Sequence, residues 1–287
     1  MRKFTYFFLL FFICPVILTA CKEPKKDDSS SIITVVAIPE DERLTESVSD
    51  NILTYNVYKT YVEVTGCLTD ASDIIIPQTI NDIKVKSIGK DAFAFNENIK
   101  KVTLPLGITN IANYAFNKAA NLESINFPDT LISVGNYSFR GTKLDVIVIP
   151  PSLKNIGKYA FGETLISTIV IPENVIKFGE YIFYGCPNLS SFTLPSNMKT
   201  LPKRMFYSCS ALTEVIIPGT ITVIDDYAFS TCENLTSIYV PSAVTKLGEG
   251  VFYNCAKLVI KTPPGSAAEK YAVNYKLKYE NTAEEIK

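Results

Sequence analysis

The sequence repeats itself every 22 or 23 residues over most of its length. Proline marks the period at Pro77, Pro105, Pro128, Pro150, Pro172, Pro195, Pro218 and Pro241. Phenylalanine marks it in parallel at Phe93, Phe116, Phe139, Phe161, Phe183, Phe206, Phe229 and Phe252. Two independent markers that keep one period over eight copies predict a repeat solenoid, in which each coil packs on its neighbours.

One copy indicates how a coil is built. The segment 122–127 ends in alternating apolar and polar residues, which predicts a short strand, and Pro128 ends this strand because it has no N–H. Leu131, Val134 and Phe139 then point inward as the chain turns. A glycine follows the Val134 position in several copies, where we expect a bend that a side chain would strain. These glycines are Gly89, Gly135, Gly157, Gly179 and Gly248.

This pattern resembles the BspA-like, or treponemal-type, leucine-rich repeat family. The family pattern, roughly L-x-x-I-x-I-P-x-x-V-x-x-I-G-x-x-A-F-x-x-C, is matched closely by residues Leu235 to Cys255. The resemblance covers about residues 51–280. It departs from the pattern at Pro202 and Asp225, which replace the glycine, and at five extra residues around 81–86, where we expect a loop. It implies right-handed coils with a parallel β-sheet on one face, mostly strand and irregular structure, and a cap at each end.

The first twenty residues predict a secretion signal. Arg2 and Lys3 precede the apolar run 4–17, and the chain then reads Leu-Thr-Ala-Cys21. This ending resembles the lipobox of bacterial lipoproteins, which implies cleavage before Cys21 and a lipid on its thiol. The alternative is a single membrane-spanning anchor, for which the apolar run is near the lower length limit.

The motifs, the repeat and the local composition together divide the chain into five segments. Residues 1–20 form the signal peptide, 21–50 the lipidated cysteine and a flexible tether, 51–70 an N-terminal cap, 71–262 a solenoid of about eight coils, and 263–287 a C-terminal cap and tail. The tether begins with a polar stretch rich in Lys and Asp, which resembles a surface-export signal of some bacterial groups. We therefore expect a bacterial cell-envelope lipoprotein at the outer membrane or cell surface.

Short patterns predict the structure of both caps. Residues 53–57 and 61–64 alternate as a hairpin that would cover the first coil. The segment 265–269 fits a capping box that opens a short helix through Val273, and 275–279 would add a last strand.

The amino-acid composition excludes several classes of functional site. The chain has no His, which excludes Ser-His-Asp and Cys-His sites and imidazole-bound zinc. It also has no Trp, the residue most often found at the centre of binding hot spots. The net charge is −1, without the basic face that nucleic acids require. With no paired carboxylates, phosphate loop or metal cluster in the sequence, we expect neither an enzyme nor a cofactor.

Four cysteines occupy the same position in successive coils: Cys186, Cys209, Cys232 and Cys255. A row at the strand spacing of about 4.8 Å extends over roughly 15 Å and cannot surround one tetrahedral ion. Disulfides between neighbours are possible by distance, but parallel side chains seldom give the required torsion. We expect small, half-buried free thiols.

A tyrosine row lies two residues before the phenylalanines, at Tyr114, Tyr137, Tyr159, Tyr181 and Tyr227, with Arg204 interrupting it. Such rings could bind sugars or aromatic side chains. The alternative is that they cover the edge of the core with their hydroxyls in water.

The outward positions of the predicted strands form a third row. It is polar at Lys100, Lys101 and Thr103, and apolar further along. The candidate ligand face consists of Val146, Val148, Val170, Ile216 and Tyr239. β-Propensity alone also favours Val and Ile on strands, so both interpretations remain open here.

These features predict a lipoprotein with a leucine-rich repeat binding domain that acts in protein–protein interaction or adhesion. Its partners would be the membrane, through the lipid on Cys21, and a protein ligand. The alternative is a glycan-binding accessory lipoprotein that uses the tyrosine row.

Overall fold

The computed structural model describes residues 43–282 of the 287-residue chain. The predicted signal peptide, Cys21 and the first part of the tether lie outside the described residues. Within the described range, no helix has the length and apolarity needed to cross a bilayer.

The described residues form twenty short strands and one helix. In chain order they are β1 (Leu44–Ser49), β2 (Leu53–Tyr58), β3 (Val62–Cys67), β4 (Asp73–Ile75), β5 (Thr79–Ile80), β6 (Ile83–Ile88), β7 (Lys101–Thr103), β8 (Asn110–Ile111), β9 (Ser124–Ile125), β10 (Ser133–Val134), β11 (Asn155–Ile156), β12 (Lys177–Phe178), β13 (Ser191–Thr193), β14 (Thr200–Leu201), β15 (Glu214–Ile216), β16 (Val223–Ile224), β17 (Ser237–Tyr239), β18 (Lys246–Leu247), β19 (Val259–Thr262), α1 (Ala267–Asn274) and β20 (Lys278–Asn281).

The predicted solenoid is confirmed, and its coils carry strands on two faces where the sequence predicted one. The first series precedes the repeated prolines and includes β4, β7, β9, β13, β15 and β17. The second series precedes the glycine position and includes β6, β8, β10, β11, β12, β14, β16 and β18. Strands of one series in successive coils pair in parallel.

The phenylalanine column forms the centre of the core. All eight rings are buried, and neighbouring rings stack with centroids 4.9 to 6.0 Å apart. Each ring thus fills the space that the next coil leaves, which explains why no single repeat could bury its own apolar face.

Backbone hydrogen bonds join the coils at the turn that carries the phenylalanines. In one coil the N–H groups of Tyr159 and Phe161 donate to the carbonyls of Glu180 and Ile182 at 3.0 and 3.1 Å. The same pair of bonds recurs in every coil from that of Phe93 to that of Phe229. We call this continuous set of bonds the turn ladder.

The repeated glycine is required by a close approach of coils, and the predicted bend is not its reason. A Cβ on Gly157 would lie 2.4 Å from the carbonyl carbon of Gly135 in the preceding coil. The φ of Gly157 is not in the left-handed region. The glycine therefore allows backbone to pack on backbone between coils.

Proline at the glycine position interrupts the second series. Pro202 has no N–H to donate to the preceding coil, and within the described residues no ladder joins β12 to β14. A side chain spans the gap instead, since Asn197 Nδ2 donates to the Val175 carbonyl at 2.9 Å. We call this joint the Pro202 seam.

The first series is interrupted where the coils are 22 residues long. Leu122 follows Phe116 by six positions, but Leu144 follows Phe139 by only five. In these short coils the strand pairing is reduced to the isolated bridges Val146–Thr168 and Val170–Thr193. The broad sheet expected from the sequence is therefore divided into ladders β4-β7-β9, β13-β15 and β17-β19-β20.

The N-terminal cap is larger than predicted. The expected hairpin is present as β2 and β3, and β1 pairs antiparallel with β2, so Leu44–Ser49 belongs to the cap and not to the tether. The extra residues 81–86 form no loop, because Asn81 and Asp82 make a two-residue turn with φ of 49° and 62° between β5 and β6.

The C-terminal cap follows the prediction with shifted bounds. Ser266 caps α1, and its Oγ accepts a hydrogen bond from the Glu269 N–H at 3.0 Å. The helix ends at Asn274, one residue later than expected, and the last strand is Lys278–Asn281 and not 275–279.

Candidate functional site

Four of the five residues of the candidate ligand face are exposed. The exposed fractions are 62% for Val146, 79% for Val148, 76% for Val170 and 56% for Ile216. Tyr239 is half-buried, because it lies in β17 next to Lys261 of the paired strand β19. It is therefore less exposed than the sequence predicted.

The three valines belong to the two short coils. At the corresponding position of the preceding coil, the amide of Asn126 bonds to both the N–H and the carbonyl of Leu104, at 2.7 and 2.9 Å. In the coil that follows, the position is held by exposed Thr193. We call Val146, Val148 and Val170 the valine patch.

Charged residues lie on the same face at some distance along the stack. Lys100 and Lys101 are exposed near the N-terminal end, and Glu214 is exposed in β15. The valines are thus flanked first by Asn126 and Thr193 and then by charged residues, and an apolar centre with a polar rim is the usual composition of a protein-contact surface.

The tyrosine row forms a stacked column beside the turn ladder. The ring centroids of Tyr114, Tyr137, Tyr159 and Tyr181 are separated by 5.0, 4.8 and 4.3 Å. The guanidinium of Arg204 continues the column, 5.5 Å from the Tyr181 ring. Both faces of the interior rings are covered by neighbours, so these rings offer only their edges and hydroxyls to a ligand.

The same column carries unusual backbone conformations. Every residue in it has a positive φ, from 52° at Arg204 to 62° at Tyr114. Bulky side chains rarely adopt this region. Burial and the neighbouring phenols also raise the pKa of Tyr159 to about 12.

An ionic contact ties three coils together next to the column. Glu163 accepts hydrogen bonds from Arg140 at 2.6 Å and from Lys118 at 3.1 Å. Burial alone would raise the pKa of Glu163, but the bonds from Arg140 and Lys118 outweigh it and lower the pKa. The guanidinium of Arg140 also lies over the Tyr159 ring at 5.6 Å.

The four cysteines of the repeat row are unpaired and buried. Their thiols donate to phenylalanine carbonyls of the preceding coil, for example Cys209 to Phe183 at 3.2 Å. Burial raises the pKa of Cys186 and of Cys255 to about 11. A thiol with a raised pKa is a weak nucleophile and metal ligand, so the row acts as packing. The sequence predicted half-buried side chains at these four positions, and the structure shows them buried.

The sequence did not predict a cleft that the structure shows at the C-terminal end of the solenoid. The column stops at Gly250, and a cleft of about 480 Å³ opens there between the last coil and the C-terminal cap. Its aromatic residues are Tyr227, Phe252, Tyr253, Tyr271 and Tyr275, and Glu249 lies at its edge. The available signal was the glycine that replaces tyrosine in the row, followed by two tyrosines in α1 and at its end.

A family model of the BspA type leucine rich repeat region matches six copies over residues 67–189 and 132–259. The chain belongs to this family. A comparison with curated proteins finds none that matches this chain. A leucine-rich repeat protein from Bacteroides ovatus is 28% identical, with a TM-score of 0.69, and the match covers 82% of this chain and 67% of that one.

Two further solved structures share the fold. The T. pallidum leucine rich repeat protein is 23% identical with a TM-score of 0.57, and the match covers 83% of this chain and 100% of that one. A leucine-rich repeat protein from Eubacterium ventriosum is 22% identical with a TM-score of 0.50, covering 77% and 73%. Membership in a leucine-rich repeat family is compatible with protein–protein interaction, since such solenoids are typically binding scaffolds.

Proposed function

We propose that this chain is a lipid-anchored protein of the bacterial cell envelope that binds a protein partner through the valine patch. The exposure of Val146, Val148 and Val170 is the observation that carries the proposal. Single exposed valines are common on strands, but here three exposed valines are concentrated in two adjacent coils, as expected of an apolar contact patch.

The surroundings of the patch support a binding role. The neighbouring row positions are filled by Asn126, whose amide bonds to the backbone, and by Thr193, whose hydroxyl tolerates water. The strand pairing beneath the patch consists of single bridges, so the valines add no long ladder of their own. Their apolar character therefore has a better explanation in contact with a partner than in sheet stability.

The binding test replaces Val148 and Val170 together by Asp in the full chain. We expect the fold to be retained, because both side chains point into solvent, and capture of the partner from host extracellular or envelope proteins to fall sharply. The matched control is Ile176→Asp, which changes an equally exposed apolar residue outside the patch.

The result that supports the proposal is a partner captured by the wild type and by Ile176→Asp but lost by the double variant. Equal capture by all three proteins would show that the valines serve strand propensity alone. Loss of capture in both variants would place the contact elsewhere.

The anchor rests on the sequence motif that ends at Cys21. Replacing Cys21 by Ala should prevent incorporation of a labelled fatty acid and release the protein from membranes. Unchanged membrane association with an uncut N-terminus would contradict it. Protease treatment of intact cells then separates display at the cell surface from display in the periplasm, and adhesion requires the former.

A further inference from the structure

The aromatic column ends at Tyr227, beyond which no further ring is stacked. One face of Tyr227 is covered by the Arg204 guanidinium, 4.9 Å from the ring centroid. On the other side lies Gly250, which has the same left-handed backbone (φ +56°) as the tyrosines of the row but no side chain. The Tyr227 ring leans over this glycine, since a Cβ there would lie 2.4 Å from Tyr227 Cε1. The stacking partner that every interior ring possesses is therefore missing here.

The second aromatic column is also incomplete at this end. Tyr184 and Tyr207 stack at 5.2 Å, but the next coil has Ser230 at that position. Tyr253 of the last coil is 67% exposed. Two interruptions in adjacent coils thus leave aromatic surface open at one place.

The C-terminal cap closes the other side of this space. Tyr271 and Tyr275 stack on each other at 4.4 Å, and with Leu277 they form the opposite wall of the 480 Å³ cleft. This volume is in the range of small-molecule sites, about 300–1,000 Å³.

Polar groups at the edge define what such a ligand offers. Glu249 accepts a hydrogen bond from the Tyr227 hydroxyl at 2.7 Å, and a carboxylate has capacity for further donors. Asn254 is exposed beside it and can both donate and accept. A fitting ligand has an apolar face to lie on tyrosine and hydrogen-bond donors at its rim.

Charge and hydrogen bonding make other ligand classes less suited to the Tyr227–Glu249 pair. An anion would meet the Glu249 carboxylate. An organic cation would have to share the Tyr227 ring with Arg204 on its far face, which opposes it. A proline-rich peptide also stacks on tyrosine, but proline has no N–H to offer the acceptor Glu249.

We propose that this cleft binds a neutral sugar ring of an oligosaccharide, with its C–H face on Tyr227 or Tyr253 and its hydroxyls donating to Glu249. The residues of the cleft lie in the last two coils and the C-terminal cap, and none of them belongs to the valine patch. The site is therefore independent of the proposed protein contact.

The experiment measures binding of uncharged α- and β-linked gluco-, manno-, galacto- and xylo-oligosaccharides to the full chain by calorimetry. Gly250→Tyr extends the column with the residue and backbone conformation already used by Tyr227, so it fills the cleft and displaces the Tyr227 ring toward the stacked position. Asp91→Tyr is the matched control, because Asp91 (φ +59°) holds the same row position at the opposite end of the column.

We expect at least one neutral oligosaccharide to bind to the wild type and to Asp91→Tyr, and binding to be lost in Gly250→Tyr. Tyr253→Ala should weaken it by about tenfold, the effect of one aromatic contact. No binding by any neutral sugar, or equal binding by Gly250→Tyr, overturns the proposal. So does preferential binding of choline, of an oligogalacturonate or of a proline-rich peptide.

Discussion

The turn side and the strand side of the same coils differ in how strictly they are built. On the turn side, backbone bonds join consecutive coils without a break from Phe93 to Phe229, and the eight repeated phenylalanines are buried. On the strand side, the first series falls into three ladders and two isolated bridges. The coils are thus held in register by the turns, and the strand face is free to vary.

This division explains where a ligand surface can develop. A substitution on the turn side disturbs the coil before it and the coil after it, because rings and carbonyls of three coils meet there. A substitution on the strand face changes mainly the solvent-exposed surface. The valine patch lies on the permissive side, in the coils where the strand pairing is weakest.

The largest effect should follow from opening the phenylalanine column. Phe161 is fully buried in the middle of the solenoid, with neighbouring rings at 5.8 and 6.0 Å. Phe161→Ala should lower the free energy of unfolding by about 3–5 kcal/mol and the melting temperature by several degrees. The contrast is Val148→Ala on the strand side of the same coil, and equal losses for the two variants would contradict the division into sides.

The glycine position should be the next most sensitive. Gly157→Ala places a methyl group against the Gly135 backbone, so we expect a loss of about 1–3 kcal/mol in denaturant unfolding. Gly219→Ala is the matched control, because a Cβ there meets nothing within 4 Å. Gly219→Ala should be neutral or slightly stabilising. A similar loss of stability in both variants would show that the close contact between coils is not the cause.

The thiol row should make stability fall at high pH. The folded protein keeps its buried thiols protonated, with the pKa of Cys186 and Cys255 near 11, whereas the unfolded chain releases these protons above about pH 8.5. The unfolded state then binds fewer protons, so the free energy of unfolding decreases as the pH rises from about 8.5 to 11.

Threonine supplies the control for this row. Thr142 and Thr164 hold the same position in the short coils, and their hydroxyls donate to phenylalanine carbonyls at 2.9 and 2.8 Å. Replacing all four cysteines of the row by Thr should give a shallower fall of the urea midpoint with pH. Identical pH profiles would contradict a role of the thiols. In the wild type, a thiol reagent should label the row only after denaturation.

The smallest effect is expected on the strand face. Val170→Thr keeps the β-branched shape and introduces the residue that stands at position 193, so the free energy of unfolding should change by no more than about 0.5 kcal/mol. A loss as large as that of Gly157→Ala would show that the valine patch contributes to the fold, and the comparison of the two sides would fail.

The sequence predicted the features that depend on a repeated residue. Proline and phenylalanine spacing located the coils and the buried column, because those residues act at every copy in the same way. It did not predict the interruptions of the sheets, since these depend on local chain length. One residue fewer between Phe139 and Leu144, or a missing N–H at Pro202, is small in the sequence but removes a set of hydrogen bonds.

The candidate sites were predictable only in part. Alternation placed Val148 and Val170 outward, but the contact of Tyr239 with the neighbouring strand requires the register of β17 and β19. The tyrosine row was visible as a pattern, whereas mutual coverage of its faces depends on ring distances of 4.3 to 5.0 Å. The cleft beyond Gly250 involves residues of α1 and of the last coil, which no short-range spacing brings together.

The Pro202 seam has a mechanical consequence. A protein held at its N-terminal end and pulled by a ligand in the C-terminal cleft distributes the force over the bonds between successive coils, including those at the seam. At the seam the second-series ladder is absent, so the turn ladder, the Val170–Thr193 bridge and the side-chain bonds of Ser196 and Asn197 carry the tension. Under load this joint should part first and divide the solenoid into two shorter stacks, each still closed by its own cap.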